Sequence, residues 1–276
     1  MALIKPEIYA PIVSEKFKGK VVVEQLATDL GVLSGNVGDT VSFPAFKRIG
    51  DAVEMEKGDE IGVEELTQAE SKATIKQVAK GVRIFDIDDL TALGNFIENG
   101  AMQQAKVFSR KIDEDLIAEC DKTTLKVATA NGTSITANEL NLGLVAFGDE
   151  QDTEDMAGIV INSMLSASFY SMPEFVDSQK TYNGQNGNGI VRNGLIGHFR
   201  GIPVFVSDKG TLDSTLSECK TYIIKKNALG KMYKRGINIE PERKASLKAT
   251  DLYGDVIYAV KLLDEEGVVV LRKTIA

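Results

Sequence analysis

Gly50-Asp51-Ala52-Val53-Glu54-Met55-Glu56-Lys57-Gly58-Asp59-Glu60-Ile61-Gly62-Val63-Glu64-Glu65-Leu66 separates two runs of strand-like sequence. Seven acids, Asp51, Glu54, Glu56, Asp59, Glu60, Glu64 and Glu65, stand against one base, Lys57, with Gly50, Gly58 and Gly62 between them. Such a stretch cannot bury enough apolar surface to lie in a core. On its N-terminal side, Gly38-Asp39-Thr40-Val41-Ser42-Phe43-Pro44 alternates Val41 and Phe43 between a turn signal and a strand-terminating proline. On its C-terminal side, Ala73 to Phe85 is rich in β-branched residues, and Val82 and Ile84 alternate with Gly81 and Arg83. A long acidic loop flanked by strands is a two-stranded hairpin projecting from the body, and loops of this length are uncommon in compact domains unless they have a job.

The sequence before the hairpin carries Lys5, Lys16, Lys18 and Lys20 with two prolines and little periodicity, which reads as an extended arm over residues 1–20. Val21-Val22-Val23 is a short β-branched run. After the hairpin, Leu90, Leu93, Ile97, Ala101, Ala105, Phe108, Ile112 and Leu116 recur in steps of three and four, the stripe of a helix. Gly94 and Gly100 each cost about 1 kcal/mol relative to alanine in a helix interior, so a break is expected between them. The firm helix is Ala101 to Cys120, about 30 Å long, with Arg110, Lys111, Asp113, Glu114 and Asp115 largely off the stripe. Thr136-Ala137-Asn138-Glu139 is a capping box opening a second helix to Phe147. Gly158 to Ile161 reads as a buried strand, and Ser163 to Tyr170 as a short helix ended by Pro173. Gly201 to Ser207 reads as a turn feeding a strand. Tyr222 to Ile224, Ile237 to Glu240, Val256 to Leu262 and Val268 to Leu271 are further strands. The fold class is α+β.

Composition narrows the function. The 276 residues are 43% hydrophobic and 26% charged, an ordinary globular balance. Apolar runs such as Gly267 to Leu271 are far shorter than the ~20 residues of a membrane-spanning helix. Residues 1–13 have no apolar core of signal-peptide length, so neither secretion by that route nor a membrane partner is expected. Two cysteines, Cys120 and Cys219, with no CxxC pair, read as buried reduced thiols. A net charge of -8 opposes the basic footprint of a nucleic-acid reader. The single histidine, His198, would have to anchor any His-based metal cluster or Ser-His-Asp triad. No metal, no cofactor and no enzymatic activity are expected.

Residues 183–189, Asn-Gly-Gln-Asn-Gly-Asn-Gly, lack the lysine and glycine spacing of a phosphate-cradling loop and read as a surface loop. The acids of residues 51–65 do not follow the alternation of a calcium loop. Electrostatic docking fits them better, because Lys225, Lys226, Lys231, Lys234 and Arg235 form a basic stretch in the same chain. An acidic projection and a basic patch on identical subunits suit head-to-tail contacts, which close into rings or shells.

In its order of elements the chain resembles the major capsid proteins of tailed phages, which have the Hong Kong 97-type fold. The resemblance runs through Gly38 to Pro44, the acidic hairpin with Gly58, Asp59, Glu60 and Ile61, then Glu64-Glu65-Leu66, Thr74-Ile75-Lys76 and Gly81 to Asp86. It continues through Arg110 to Leu116, Gly201 to Asp208 and the strands from Glu242-Arg243 onward. It implies an N-terminal arm (1–20), an extended loop (48–82), a peripheral domain (21–47 and 83–124) built on a long spine helix, and an axial domain (125–235). The terminal strands (236–276) would return to the peripheral domain. It further implies a structural subunit forming hexamers and pentamers of itself and an icosahedral shell around double-stranded DNA. Scaffolding and portal proteins would be partners, with assembly in the host bacterial cytoplasm and residence in the virion. On this analogy the loop bearing Asp51 to Glu65 docks on the neighbouring subunit.

Two departures bear on detail. The long N-terminal scaffolding segment of some members is not seen, so scaffolding is expected from a separate protein or from a chain already trimmed. Lys57 lies in the loop where some members form a lysine–asparagine crosslink, but no partner can be named and no crosslink is expected. The alternative use of the same fold is an encapsulin-like cellular shell around a cargo enzyme.

Overall fold

The computed structural model describes residues 22–32, 40–46, 54–55, 63, 68–91, 96–149, 151–176 and 194–275. The expected arm (1–20), the glycine-rich loop (183–189) and Asp51, Glu56, Asp59, Glu60, Glu64 and Glu65 lie outside them.

The chain begins with β1 (Thr28–Val32), β2 (Thr40–Phe46), β3 (Gln68–Thr74), β4 (Lys76–Phe85), α1 (Asp86–Thr91) and α2 (Phe96–Cys120). It continues through β5 (Leu125–Ala128), α3 (Ala137–Val145), β6 (Met156–Ile161), α4 (Ser166–Ser171), α5 (Pro173–Val176), β7 (Leu195–Phe199) and β8 (Ile202–Val206). The last elements are β9 (Leu212–Asp213), β10 (Glu218–Cys219), β11 (Thr221–Lys225), β12 (Leu229–Lys244), β13 (Ala249–Leu262) and β14 (Val268–Arg272). They form a four-stranded sheet β1-β12-β13-β4, a six-stranded sheet β5-β14-β11-β6-β8-β7, and two two-stranded pairs, β2-β3 and β9-β10.

Helix α2 organises both large sheets. Ala101, Ala105, Phe108, Ile112 and Leu116, the stripe expected from spacing, are all buried. They pack against Ile84 of β4 and against Leu252, Val256 and Tyr258 of β13. The same core takes Val160, Phe205, Tyr222, Ile224, Val268 and Val270 from one face of the six-stranded sheet. Polar locks supplement the packing: Gln104 Nε2 donates to the carbonyls of Lys80 and Leu252 at 2.8 and 3.0 Å. A Cβ on Gly254 would lie 3.2 Å from the Phe108 ring, so the strand backbone itself is the floor on which this ring rests.

The helix differs from expectation in two ways. It begins at Phe96 and runs through Gly100; Gly100 is buried, and the apolar burial that follows it offsets the glycine's propensity cost. Asp113 and Asp115 are also buried, because a helix wedged between two sheets exposes far less than a single-stripe helix does.

The other face of the six-stranded sheet supports a second core. Ile159, Ile161, Val204, Ile223, Val269 and Leu271 alternate with the residues facing α2, and they meet Leu140 and Leu144 of α3, Phe169 and Phe175. This period-two alternation, apolar on both sides, marks strands buried on two faces. α3 opens on a complete capping box, with the Thr136 side chain accepting from Glu139 N and the Glu139 carboxylate accepting from Thr136 N. Gly143 lets α3 sit close on the sheet, since a Cβ there would lie 2.9 Å from Ile223 Cδ1. Arg200 and Gly201, at φ 51° and 86°, make the tight turn between β7 and β8. Pro173 does more than end a helix: it occupies the first position of α5, where its missing N–H costs nothing. Both cysteines are buried and unbridged, as expected.

Two segments sit elsewhere than the resemblance implied. β4 enters the four-stranded sheet at Lys76, ahead of the expected loop boundary at residue 82, because Val78, Val82 and Ile84 pack beneath α2. β12 and β13 join that sheet, but β14 lies between β5 and β11 in the six-stranded one. Four consecutive buried residues, Val268 to Leu271, require partners on both edges and both faces, and only an interior position supplies them.

Phe108→Ala should lower unfolding stability by ~3–5 kcal/mol in urea titration. A loss near zero would show that the ring does not close the helix–sheet core.

Candidate assembly interface

A hairpin does flank the acidic loop, but its second strand is β3 (Gln68–Thr74) and not the expected Ala73 to Phe85, most of which is β4 paired with β13. β2 and β3 pair antiparallel from Thr40↔Thr74 to Phe46↔Gln68. Its stem buries Val41, Phe43 and Ala73 against Ala259 of β13, with Met232 of β12, Ile75 and Leu263 beside them. On β12 and β13 these contacts alternate with Tyr233 and Tyr258, which face α2, so the stem grips the sheet on the side away from the long helix. Beyond the stem, Glu54 is exposed, as are Met55 at 47% and Val63 at 91%.

The basic stretch is more committed than its sequence suggests. Lys231 Nζ pairs with Glu24 Oε1 at 2.7 Å in a nearly buried setting. Arg235 pairs with Asp255. Lys226 Nζ donates to the Glu154 carbonyl, and Lys225 Nζ sits 4.7 Å from the centroid of the Phe147 ring. Lys234, partly exposed, makes no such contact among the described residues. The five cations therefore do not act as one free patch: Lys231 and Arg235 face carboxylates of their own chain.

Sequence reasoning missed the anchor of the N-terminal segment. Asp113 of α2 accepts three backbone N–H groups, from Val22 at 3.1 Å and from Val23 and Glu24 at 2.9 and 3.0 Å. Glu24 then accepts from Lys231 and from the Tyr233 hydroxyl. Tyr258, whose ring lies 6.4 Å from that of Tyr233, donates to Asp115 Oδ2 at 2.8 Å. Lys76 and Lys111 approach Asp115 at 3.2 and 3.3 Å. This chain of contacts ties the point where the arm begins to both α2 and β12. One signal was available: Asp113 lies four residues before Ile117 on α2, so the two share a helix face.

Burial pushes the Asp113 carboxyl up to about 6, against the opposing pull of its three N–H donors. At the far end of the four-stranded sheet, Arg83 forks onto Asp251 at 2.6 and 2.8 Å across the β4–β13 pair, and this hydrogen-bonded cation holds the Asp251 carboxyl well below its usual range. Arg243 forks likewise onto Asp86 at 2.6 Å. No group of three or more His, Cys, Asp or Glu placed to hold a metal occurs among the described residues, and no described helix is long and apolar enough to cross a membrane.

The described residues combine a hairpin gripped at its stem, a helix wedged between two sheets and a segment, Val22 to Glu24, tied to that helix. Comparison with known proteins identifies the family. Residues 68–271 match the phage capsid protein family, and the chain belongs to it. The major capsid protein of Staphylococcus phage phiMR11 is 28% identical over 270 residues, 98% of this chain and 93% of that protein. Among solved structures, the capsid of the cyanophage P-SCSP1u superposes with a TM-score of 0.64 at 16% identity, covering 93% of this chain and 89% of that one. The capsid of a native GTA particle gives 0.65 at 10% identity, covering 100% and 93%. The chain is a phage major capsid protein with the Hong Kong 97-type fold.

The raised Asp113 carboxyl sets a pH dependence. Folding holds its proton more tightly than the ordinary value of 3.8. Its contribution to stability is therefore fully present below about pH 3.8 and is lost as pH rises through about 6. In urea titrations from about pH 4 to pH 7, Asp113→Asn should fall furthest behind the parent at acid pH and recover ground towards neutrality. A difference between the two that does not change with pH would rule this out.

Proposed function

We propose that the protein is the structural subunit of a tailed-phage head, without enzymatic activity, that assembles through hexamers and pentamers into an icosahedral shell around double-stranded DNA. Scaffolding and portal proteins are its partners, assembly takes place in the host bacterial cytoplasm, and the finished shell is part of the virion. The arm (1–20) and the extended loop, which begins at residue 48 and ends before β4 at Lys76, reach neighbouring subunits. Residues 21–47 and 83–124 make the peripheral domain and 125–235 the axial domain. β12, which starts at Leu229 within the axial span, and β13 complete the four-stranded sheet, and β14 joins the six-stranded one.

The hairpin carries this reading: its stem is packed firmly on the sheet while its tip presents Glu54, Met55 and Val63 to solvent. The acids Asp51, Glu54, Glu56, Asp59, Glu60, Glu64 and Glu65 dock on the 225–235 region of an adjacent subunit. There Lys234 carries most of the attraction, because Lys231 and Arg235 are already paired and Lys226 donates to the Glu154 carbonyl. An encapsulin-like cargo shell would use the same fold, but the family match and the phage relative support the head reading.

Negative-stain electron microscopy of the purified protein, with light scattering, should show closed shells, tubes or hexameric and pentameric rings. A protein that stays monomeric under crowding and with a candidate scaffold added would overturn the reading. Glu54→Lys, Glu56→Lys, Asp59→Lys and Glu60→Lys combined should abolish these particles while leaving the melting temperature of the subunit unchanged. Normal shells from that variant would eliminate the docking contact.

A further inference from the structure

The loop from β5 to α3 is pinned on both sides of one exposed residue. Thr129 N donates to the Arg272 carbonyl at 3.0 Å, and Ala130 N donates to Glu139 Oε1 at 2.7 Å. Further on, the Gly132 carbonyl accepts from Cys219 N at 2.7 Å. Between these ties Asn131 is exposed, its main-chain carbonyl accepting from Thr129 Oγ1 at 3.1 Å. Its side chain turns back on the chain: Asn131 Oδ1 accepts from Thr133 N at 3.2 Å and from Thr133 Oγ1 at 3.4 Å. This is an Asx turn, which folds the side-chain amide carbon towards the main-chain nitrogen of the next residue. That residue is Gly132, whose N–H has no hydrogen-bond acceptor among the described residues.

We propose that Asn131-Gly132 is a site of spontaneous covalent modification, at which the Asn131 amide is lost through a succinimide. Gly132 N gives up its proton to solvent base, and its electron pair forms a bond to Asn131 Cγ, closing a five-membered ring. The Cγ–Nδ2 bond then breaks, and Nδ2 takes a proton and leaves as ammonia. Water opens the imide. Cleavage of the new N–Cγ bond gives aspartate; cleavage at the Asn131 main-chain carbon gives isoaspartate, with the chain routed through Cγ. Water is consumed, ammonia is released and nothing is oxidised or reduced. The turn favours ring closure. The two Thr133 donors polarise the amide carbonyl and stabilise the charge that grows on Oδ1, as donors do at an acyl-transfer oxyanion. Nucleophile and electrophile are held near each other before they react, and Gly132 carries no Cβ to obstruct the approach. A Cβ there would in any case lie 3.1 Å from Glu218 Cβ. Asn138 supplies the contrast: it is exposed too, but the next residue is Glu139, whose N–H donates to Thr136 Oγ1 at 3.3 Å in the α3 cap. Either product adds a negative charge to the loop, and isoaspartate also lengthens the main chain beside the Gly132–Cys219 hydrogen bond.

The test incubates the folded, full-length protein in heavy-oxygen water at mildly alkaline pH, then cuts it in ordinary water after Glu119 and Glu139. Mass spectrometry of the peptide 120–139 reads Asn131 and Asn138 together, and heavy oxygen in a side-chain or main-chain carboxylate marks only conversions that took place in the folded chain. Asn131 should convert at least about tenfold faster than Asn138, and no more slowly than in a synthetic peptide of residues 120–139 under the same conditions. Isoaspartate should be found beside aspartate. Asn131→Gln should abolish conversion at this position, because the longer side chain would have to close a six-membered ring. A folded chain in which Asn131 converts no faster than Asn138, or more slowly than in the free peptide, would overturn the proposal.

Discussion

The burial of α2 against two sheets at once is the constraint on which the rest of this subunit depends. One side of the helix closes over β4 and β13, and the same core reaches β6, β8, β11 and β14. Two sheets that share no strand are thereby made one body, and their relative position is set by the volumes of Phe108, Ile112, Leu116 and Ile117. Interiors packed at crystal-like density deform little. A subunit that must present the same contact angles in many copies gains its fidelity from that stiffness.

The wedge also explains why so much charge lies inside an otherwise ordinary core. Asp113, Asp115 and Glu24 are buried, yet each has a job in joining elements distant in sequence: Val22–Glu24 to helix, helix to β13, Glu24 to β12. Removing one partner of such a set leaves a buried charge without compensation, which costs far more than the pair itself contributes. The polar contacts therefore act as registers that admit one arrangement, while the apolar stripe supplies most of the driving force. At the open end of the four-stranded sheet the pattern repeats on the surface, where Arg83–Asp251 and Arg243–Asp86 pin the strand ends.

Charge on the outside divides into spent and unspent. Several cations that look available in the sequence, Lys231 and Arg235 above all, are consumed by carboxylates of their own chain. Lys106, Arg110 and Lys209 instead converge from two elements on one cleft.

Local physics made much of this legible in the amino-acid sequence alone. The hairpin follows from alternation around an acidic, glycine-punctuated loop, α2 from steps of three and four, and α3 from a capping box that needs only four residues. The order of these elements carried the resemblance to phage capsid proteins. What only the tertiary structure decided are the features that depend on two distant segments meeting. Asp113 and Asp115 fall off the apolar stripe because a helical wheel shows one stripe, whereas two sheets bury the helix on more than one side. β14 was expected beside β12 and β13, yet a strand apolar on both faces must take an interior place, and which sheet offered it was settled by pairing with β5 and β11. The fate of each surface cation was likewise open, since whether a charge is paired depends on the fold that brings a carboxylate to it, and spacing along the chain does not encode that distance.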